Sequence, residues 1–424
     1  MMKTPVDVEN KPPKVFLVGI RDHKTQKAES ESLARELASL SETLGTEIVG
    51  REIVNIRENN VQYGMGTGKA AEIAEKAAAL GAECLIFDRE ISPSQQKNWE
   101  KLADISVMDR QELIIQIFSN RAQTREAALQ SELAELIYSL PRLQHKYIDL
   151  NRQRGGRYGT KGSGETRLET DRRQLEQRIN RLEKELEEIK RQRETQRRQR
   201  KRSNIPAAAL VGYTNAGKSS LLNRLTGAGV FAEDKLFATL DSTSRRMELP
   251  GGLSVLLTDT VGFIRRLPHT LVKAFRSTLE EACLADLLIH VLDASDPDAE
   301  IQHETTLSVL RDLDAHEIPR ITVLNKADKP EAGDFINHLE IKYPGAIAVS
   351  AATGEGTEKL LAQMESMLSG NRLRYSFPQN RPDLAAFLHR AGTVISENYK
   401  DERIEMEALV DSATAGKLKE FVLN

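Results

Sequence analysis

The stretch AAALVGYTNAGKSSLLNRL constrains this chain more than any other. An apolar run at 207–211 leads into Gly212-x-x-x-x-Gly217-Lys218-Ser219, after which Leu221, Leu222 and Leu225 recur at helical spacing. Strand, glycine-framed turn and helix in that order build a phosphate-binding loop. The glycines let the backbone of Gly212, Tyr213, Thr214, Asn215, Ala216 and Gly217 curl so that successive N–H groups face a β-phosphate. The helix that opens at Lys218, Ser219 and Ser220 adds its positive end. Lys218 is expected to bridge the β- and γ-phosphates and the Ser219 hydroxyl to coordinate Mg²⁺.

Three further elements follow in the order a guanine-nucleotide site needs. SVLLTDTVGF ends a strand at Asp259-Thr260-Val261-Gly262, where Asp259 is expected to hold Mg²⁺ through water and the Gly262 N–H to sense the γ-phosphate. RITVLNKAD ends another at Asn325-Lys326-Ala327-Asp328, where one carboxylate can accept both guanine N1–H and N2–H. Adenine would leave Asp328 unpaired, and a site built on polar pairing rejects such an analogue by about 10⁴. AIAVSAATGEG supplies Ser350, Ala351 and Ala352 as a backbone support for the base. Between the first two motifs, KLFATLDSTSRR offers Thr239 and Thr243 as the threonine that completes the Mg²⁺ shell, in a loop ordered by GTP and released with GDP. The four motifs together predict a Ras-like P-loop domain with a mostly parallel sheet. Phe263 stands where Ras-like proteins carry the water-positioning glutamine, so hydrolysis should be slow until a partner or another residue supplies that group. Arg265 and Arg266 are candidate helpers in cis.

A chain of 424 residues is too long for one core. KVFLVGI, EIVGREIVNI and ECLIF alternate with helical patterns, so residues 1–122 read as a small α/β domain whose helix-joined strands pair in parallel. Within it, YGMGTGKAAE is one residue short of a phosphate loop and lacks the metal-binding hydroxyl, and reads as a tight turn into a helix. Over 123–203, Leu129, Leu133, Leu136, Leu140 and Leu143, then Leu168, Leu175, Ile179, Leu182 and Leu186, recur at three- and four-residue steps. These two stripes predict an antiparallel helical hairpin, kinked at Pro141, whose second helix runs from Thr166 to about Arg202. Residues 204–370 form the nucleotide domain and 371–424 a small α/β appendage. The whole is a multidomain α/β protein. Cys84 and Cys283 lie in apolar runs and read as two buried, reduced thiols. No stretch is apolar enough to span a membrane and no secretory leader is seen, so the cytoplasm is the expected location.

Net charge is only −3, but positive charge gathers at the hairpin tip, RGGRYGTKGSGETRLETDRR. Glycines there allow close approach, while Arg152, Arg154, Arg157, Lys161 and Arg167 can neutralise phosphates and Tyr158 can stack. Such a tip fits a probe for folded RNA. GYTNAGKSSLLN, FATLD, DTVGFIRRLPHTLVKAF and GSGETRLETDRR together resemble the HflX family of ribosome-associated GTPases, over essentially the whole chain. The alignment of FATLD with the switch favours Thr239 over Thr243, and places Phe237, Ala238, Leu240 and Asp241 at the nucleotide. The resemblance implies a Mg²⁺-dependent GTP hydrolase, with Lys218, Thr239 and Gly262 at the reacting phosphate. It further implies that the GTP form binds the large ribosomal subunit and its rRNA and splits stalled or idle ribosomes under stress, and it leaves open an adenine-nucleotide role for the N-terminal region. A monomer is the simplest expectation. The rival functions are a ribosome-assembly factor and a regulatory GTPase whose hairpin binds a protein.

Overall fold

The computed structural model of the protein describes residues 12–423 apart from 24, 59, 154–162, 203–204, 228–235, 241, 267–281, 370, 401 and 411. Two compact units emerge, one of residues 1–186 with 266–274 and one of 187–265 with 275–424.

The first unit opens with β1 (Lys14–Arg21), α1 (Lys27–Leu44), β2 (Glu47–Asn55), α2 (Thr67–Ala79), β3 (Cys84–Phe87), α3 (Pro93–Ala103), β4 (Ser106–Asp109) and α4 (Arg110–Arg121). The strands lie in the order β2-β1-β3-β4, all parallel. A helix follows each strand, and a crossover of that length is what parallel pairing requires. The apolar runs of β1 and β3 are buried, as strands covered by helices on both faces must be. Each helix has a local reason to begin or end where it does. Gly45 closes α1 at φ 86, and Ser92 with Gln95 forms a capping box ahead of Pro93 at the start of α3.

The hairpin is α5 (Arg125–Gln153) and α6 (Ser163–Arg202). Arg178 grips Glu132 with two bonds of 2.7 and 2.8 Å, and Arg125 reaches Glu185 at 3.3 Å. As the α5 partner moves back, the α6 partner moves forward, so the helices run antiparallel, with Leu182 fully buried between these pairs. Helix α5 continues through Pro141, and α6 starts three residues before the expected Thr166. Its last turns, from Glu187 on, belong to the second unit. Of the tip residues, Arg154, Arg157, Tyr158 and Lys161 lie outside the described residues, Arg152 is on α5 and Arg167 on α6.

The second unit continues with β5 (Ala207–Gly212), α7 (Lys218–Thr226), β6 (Thr243–Glu248), β7 (Ser254–Asp259), β8 (Leu287–Asp293), α8 (Ala299–Asp312), β9 (Arg320–Asn325), α9 (Gly333–Lys342), β10 (Ile347–Ala348) and α10 (Thr357–Leu368). Its sheet has the order β10-β9-β8-β5-β7-β6, parallel except for the hairpin-linked edge strand β6. The motif residues Gly212, Asp259, Asn325 and the Ser350 segment thereby come to the carboxyl edge of one sheet, where ligands of open α/β sheets bind. The chain closes with β11 (Asn371–Pro378), α11 (Pro382–Ala391), β12 (Gly392–Lys400), β13 (Arg403–Val410), α12 (Ser412–Lys417) and β14 (Val422–Leu423), whose sheet is antiparallel in the order β12-β13-β11-β14. Cys84 is buried, but Cys283 is only half-buried, with its thiol donating to the Leu313 carbonyl at 3.4 Å. Among the described residues, no helix is long and apolar enough to cross a membrane.

Candidate nucleotide site

The loop between β5 and α7 is held open by glycine. Gly217 takes φ 90, and a Cβ there would collide with the Asn325 side-chain nitrogen. Asn325 itself donates from Nδ2 to the Ala216 carbonyl at 2.8 Å and accepts the Ala351 N–H at 3.1 Å, so one amide joins the phosphate loop to the Ser350 segment. Lys218 is buried, with Nζ 2.8 Å from the Tyr213 carbonyl and 3.3 Å from that of Gly212. Burial pushes its pKa down to about 8, against the pull of the Asp259 carboxylate. Burial likewise raises the Asp259 pKa, opposed by Lys218 and by the Ser219 hydroxyl.

Ser219 Oγ lies 2.6 Å from Thr239 Oγ1 and donates to Asp259 Oδ2 at 2.6 Å. Asp259 Oδ1 is buried with no hydrogen-bond partner. Two hydroxyls and a carboxylate with an orphaned oxygen form the hard, all-oxygen donor set that Mg²⁺ takes. Thr243, the other threonine considered, is in β6 opposite Asp259 and belongs to the sheet. Gly262 packs so tightly that a Cβ would come within 2.5 Å of Thr214 Cα and 2.9 Å of Lys218 Nζ. Thr214, Asn215, Gly217, Lys218, Ser219 and Ser220 share one cavity with Phe237, Ala238, Thr239, Thr260 and Gly262. Gly212, Tyr213, Ala216, Leu240 and Val261 are buried outside its wall, and the Thr260 hydroxyl is engaged with the Leu210 carbonyl at 2.7 Å. Asp241 lies outside the described residues.

At the far end of the sheet, Asp328 is exposed and its Oδ1 accepts the hydroxyl of the buried Ser350 at 2.6 Å. Ala327 donates to the Val349 carbonyl at 3.2 Å. Lys326, at φ 62, pairs with Asp293 at 2.7 Å. Phe263 is fully buried, and its backbone pairs with the phosphate loop in a short parallel bridge. Arg265 is buried, while Arg266 falls in the first unit, 3.7 Å from Asp88.

The family model described as 50S ribosome-binding GTPase matches residues 207–326, and those for a GTP-binding GTPase N-terminal and middle region match 31–119 and 121–200. The GTPase HflX of Akkermansia muciniphila is 44% identical over 98% of this chain and 99% of its own length. This chain belongs to the HflX GTPase family. Another member, from Escherichia coli K12, is 45% identical over 82% of this chain and 81% of its own. A solved GTP-binding protein of Sulfolobus solfataricus in complex with GDP is 25% identical over 84% of this chain and 99% of that one, with a TM-score of 0.44. As a member of the HflX GTPase family the protein is a GTP hydrolase, built on an α/β P-loop GTPase domain within a multidomain chain. Two residues of this HflX-family site escape motif reading. Asp293 ends β8 and holds Lys326, and Arg224 of α7 donates from Nε to the Ala351 carbonyl at 3.0 Å and from its NH2 group to that of Ala352. A strand-ending aspartate and a helix arginine carry no sequence signal of their own until the fold places them. The near-miss glycine run of the N-terminal region is a turn into α2, where Lys69 pairs with Glu52 at 2.5 Å and Glu72 at 2.9 Å.

Proposed function

We propose that the protein, in its GTP form, binds the large ribosomal subunit and separates stalled or idle ribosomes into subunits. The observation that carries this reading is the match of residues 207–326 to the 50S ribosome-binding GTPases. Full-length kinship with HflX proteins supports it.

In this reading the backbone from Gly212 to Gly217 cradles the phosphates and Lys218 binds the β- and γ-phosphates. Burial lowers the Lys218 pKa to about 8, and the incoming phosphate charge would raise it again and hold the lysine in its charged form. Ser219, Thr239 and Asp259 would hold Mg²⁺, which neutralises charge developing on the phosphate oxygens. Gly262 reports the γ-phosphate through its N–H. Asp328, oriented by Ser350, reads guanine, and Ala351 and Ala352, braced by Arg224, support the base. With a buried phenyl ring at 263, water must be oriented by another group, and the ribosome is the source that fits a GTPase acting on it. The tip residues Arg154, Arg157, Tyr158, Lys161 and Arg167 would contact rRNA. The protein acts as a cytoplasmic monomer in this scheme.

Sedimentation of the purified protein with whole ribosomes in GDP, GTP or a non-hydrolysable GTP analogue tests it. Co-migration with the large subunit and loss of the whole-ribosome peak in GTP or its analogue are expected. Protein left at the top of the gradient in every nucleotide state would remove the ribosome as partner and leave the GTPase intact.

A further inference from the structure

The phosphate-loop pattern makes demands on backbone, glycine, lysine and hydroxyl positions, but none on the side chains between its two glycines. Here two of those side chains carry hydroxyls, and both are bonded to the switch segments. Thr214 Oγ1 accepts the backbone N–H of Phe237 at 2.7 Å, in the segment that carries Thr239. The backbone N–H of the same Thr214 donates to the Phe263 carbonyl at 2.8 Å, one residue after Gly262. Phe263 returns its N–H to the Gly212 carbonyl at 3.1 Å. Two residues on, the Arg265 N–H donates to the Tyr213 hydroxyl at 2.9 Å. All the residues so joined are buried, with Phe237 and Phe263 among the largest fully buried side chains of the protein. A buried N–H that loses its acceptor carries the full desolvation penalty, so these bonds cannot be broken in favour of water without moving the chain.

We infer that Tyr213 and Thr214 are positioning residues that clasp both switch segments to the phosphate loop, so that the Thr239 segment and the Gly262 segment order and release together. Thr214 is the joint. It bonds the first segment through its side chain and the second through its backbone, and a shift of either segment displaces the residue that holds the other. The inference rests on GTP hydrolysis by this site and not on the ribosome. It gives the side chains of Tyr213 and Thr214 a role that phosphate binding does not require.

The test uses the full-length protein without ribosomes, comparing wild type with Thr214→Val, Thr214→Ser and Tyr213→Phe. Valine keeps the branched shape and removes the acceptor. Serine keeps the acceptor. For each protein, kcat and KM for GTP, affinity for GDP, and amide hydrogen exchange over 236–240 and 262–266 are measured across a titration of a non-hydrolysable GTP analogue. In wild type the two segments should gain protection with one midpoint. In Thr214→Val the first segment should lose protection at concentrations where the second keeps it. Its kcat should fall about tenfold, the size of one buried hydrogen bond, with GDP affinity within about twofold. Thr214→Ser should restore both. Tyr213→Phe, which leaves the Thr214 joint intact, should loosen both segments together, and it keeps the inference testable if the valine variant does not fold. Two midpoints in wild type, or a valine variant with wild-type kcat and a lowered melting temperature, would overturn the clasp and leave Thr214 a packing residue. A wild-type protein that neither binds nor turns over GTP would instead remove the GTPase reading itself.

Discussion

At the scale of single residues, buried polar groups without partners expose the site's logic and its weak points. His290, in β8, is fully buried with neither ring nitrogen hydrogen-bonded, and its ring stacks on that of His303 at 4.9 Å. Burial, then the charges of His303, Arg320 and Lys218, hold its pKa well below the usual 6.5. His303 is lowered too, chiefly by burial, with Glu304 opposing. In the unfolded chain both histidines protonate below about pH 6.5, whereas folded His290 stays neutral. Stability is therefore full above that pH and falls as pH drops below it, by up to about 1.4 kcal/mol per unit for His290. Thermal melts at pH 7.5 and 5.5 should show this loss, and His290→Phe should flatten it. An unchanged acid limb in that variant would place the effect elsewhere. At the other end of the sheet, Asp328→Asn should weaken GTP on the order of a hundredfold and improve binding of xanthine nucleotide, whose ring offers an acceptor where guanine offers an amine. Untouched GTP affinity in a nucleotide titration would withdraw Asp328 from base recognition. Lys218→Ala should abolish GTP turnover; residual wild-type turnover would deny it a role at the phosphates.

Among elements, one arginine of α5 ties that helix to the N-terminal α/β region. Arg142, the residue after Pro141, stacks on the Tyr138 ring at 3.4 Å and donates to Gln96 Oε1 at 2.8 Å, to the Ile91 carbonyl at 3.1 Å and to Asp109 Oδ2 at 3.1 Å. Asp109 has no exposed surface, and besides capping α4 it receives the Ile91 N–H at 3.3 Å. Burial raises its pKa, and Arg142 and these donors act against that. Removing the guanidinium strands a buried carboxylate, a change that costs about 3 kcal/mol. Arg142→Ala should lower the melting temperature of the first unit and speed hydrogen exchange along α5. Arg142→Lys should rescue little, because an ammonium cannot serve Gln96, a carbonyl and a carboxylate in one plane. Equal stability of the alanine variant and wild type would show that packing of the α5 leucines holds the helix there without Arg142.

For the whole molecule, the proposed RNA contact makes ribosome binding an electrolyte-sensitive event. If the tip neutralises phosphates, log affinity should fall linearly with log salt, and Arg157→Ala should reduce the slope by about 1 while ribosome-free GTP turnover stays as in wild type. A slope that is flat in wild type would point to a protein partner for the hairpin.

What the sequence determined alone was everything that depends on short-range pattern. The phosphate loop, the strand-ending Asp259 and Asn325 motifs and the two leucine stripes each occupy a contiguous stretch whose spacing states its geometry, and the structure brings the first two to one sheet edge. Two short elements were not legible: β4, SVMD, lacks the apolar run that marks the equally short β3, and β14 has only two residues; both exist because a neighbouring strand offers hydrogen bonds. The choice between Thr239 and Thr243 needed family resemblance in the sequence, and the fold separates them by placing one beside Ser219 and the other in a strand. Arg224, Asp293, Arg142 and the hydroxyls of Tyr213 and Thr214 belong wholly to the tertiary structure. Their partners lie far along the chain or on backbone atoms, and neither kind of contact leaves a mark on local residue order.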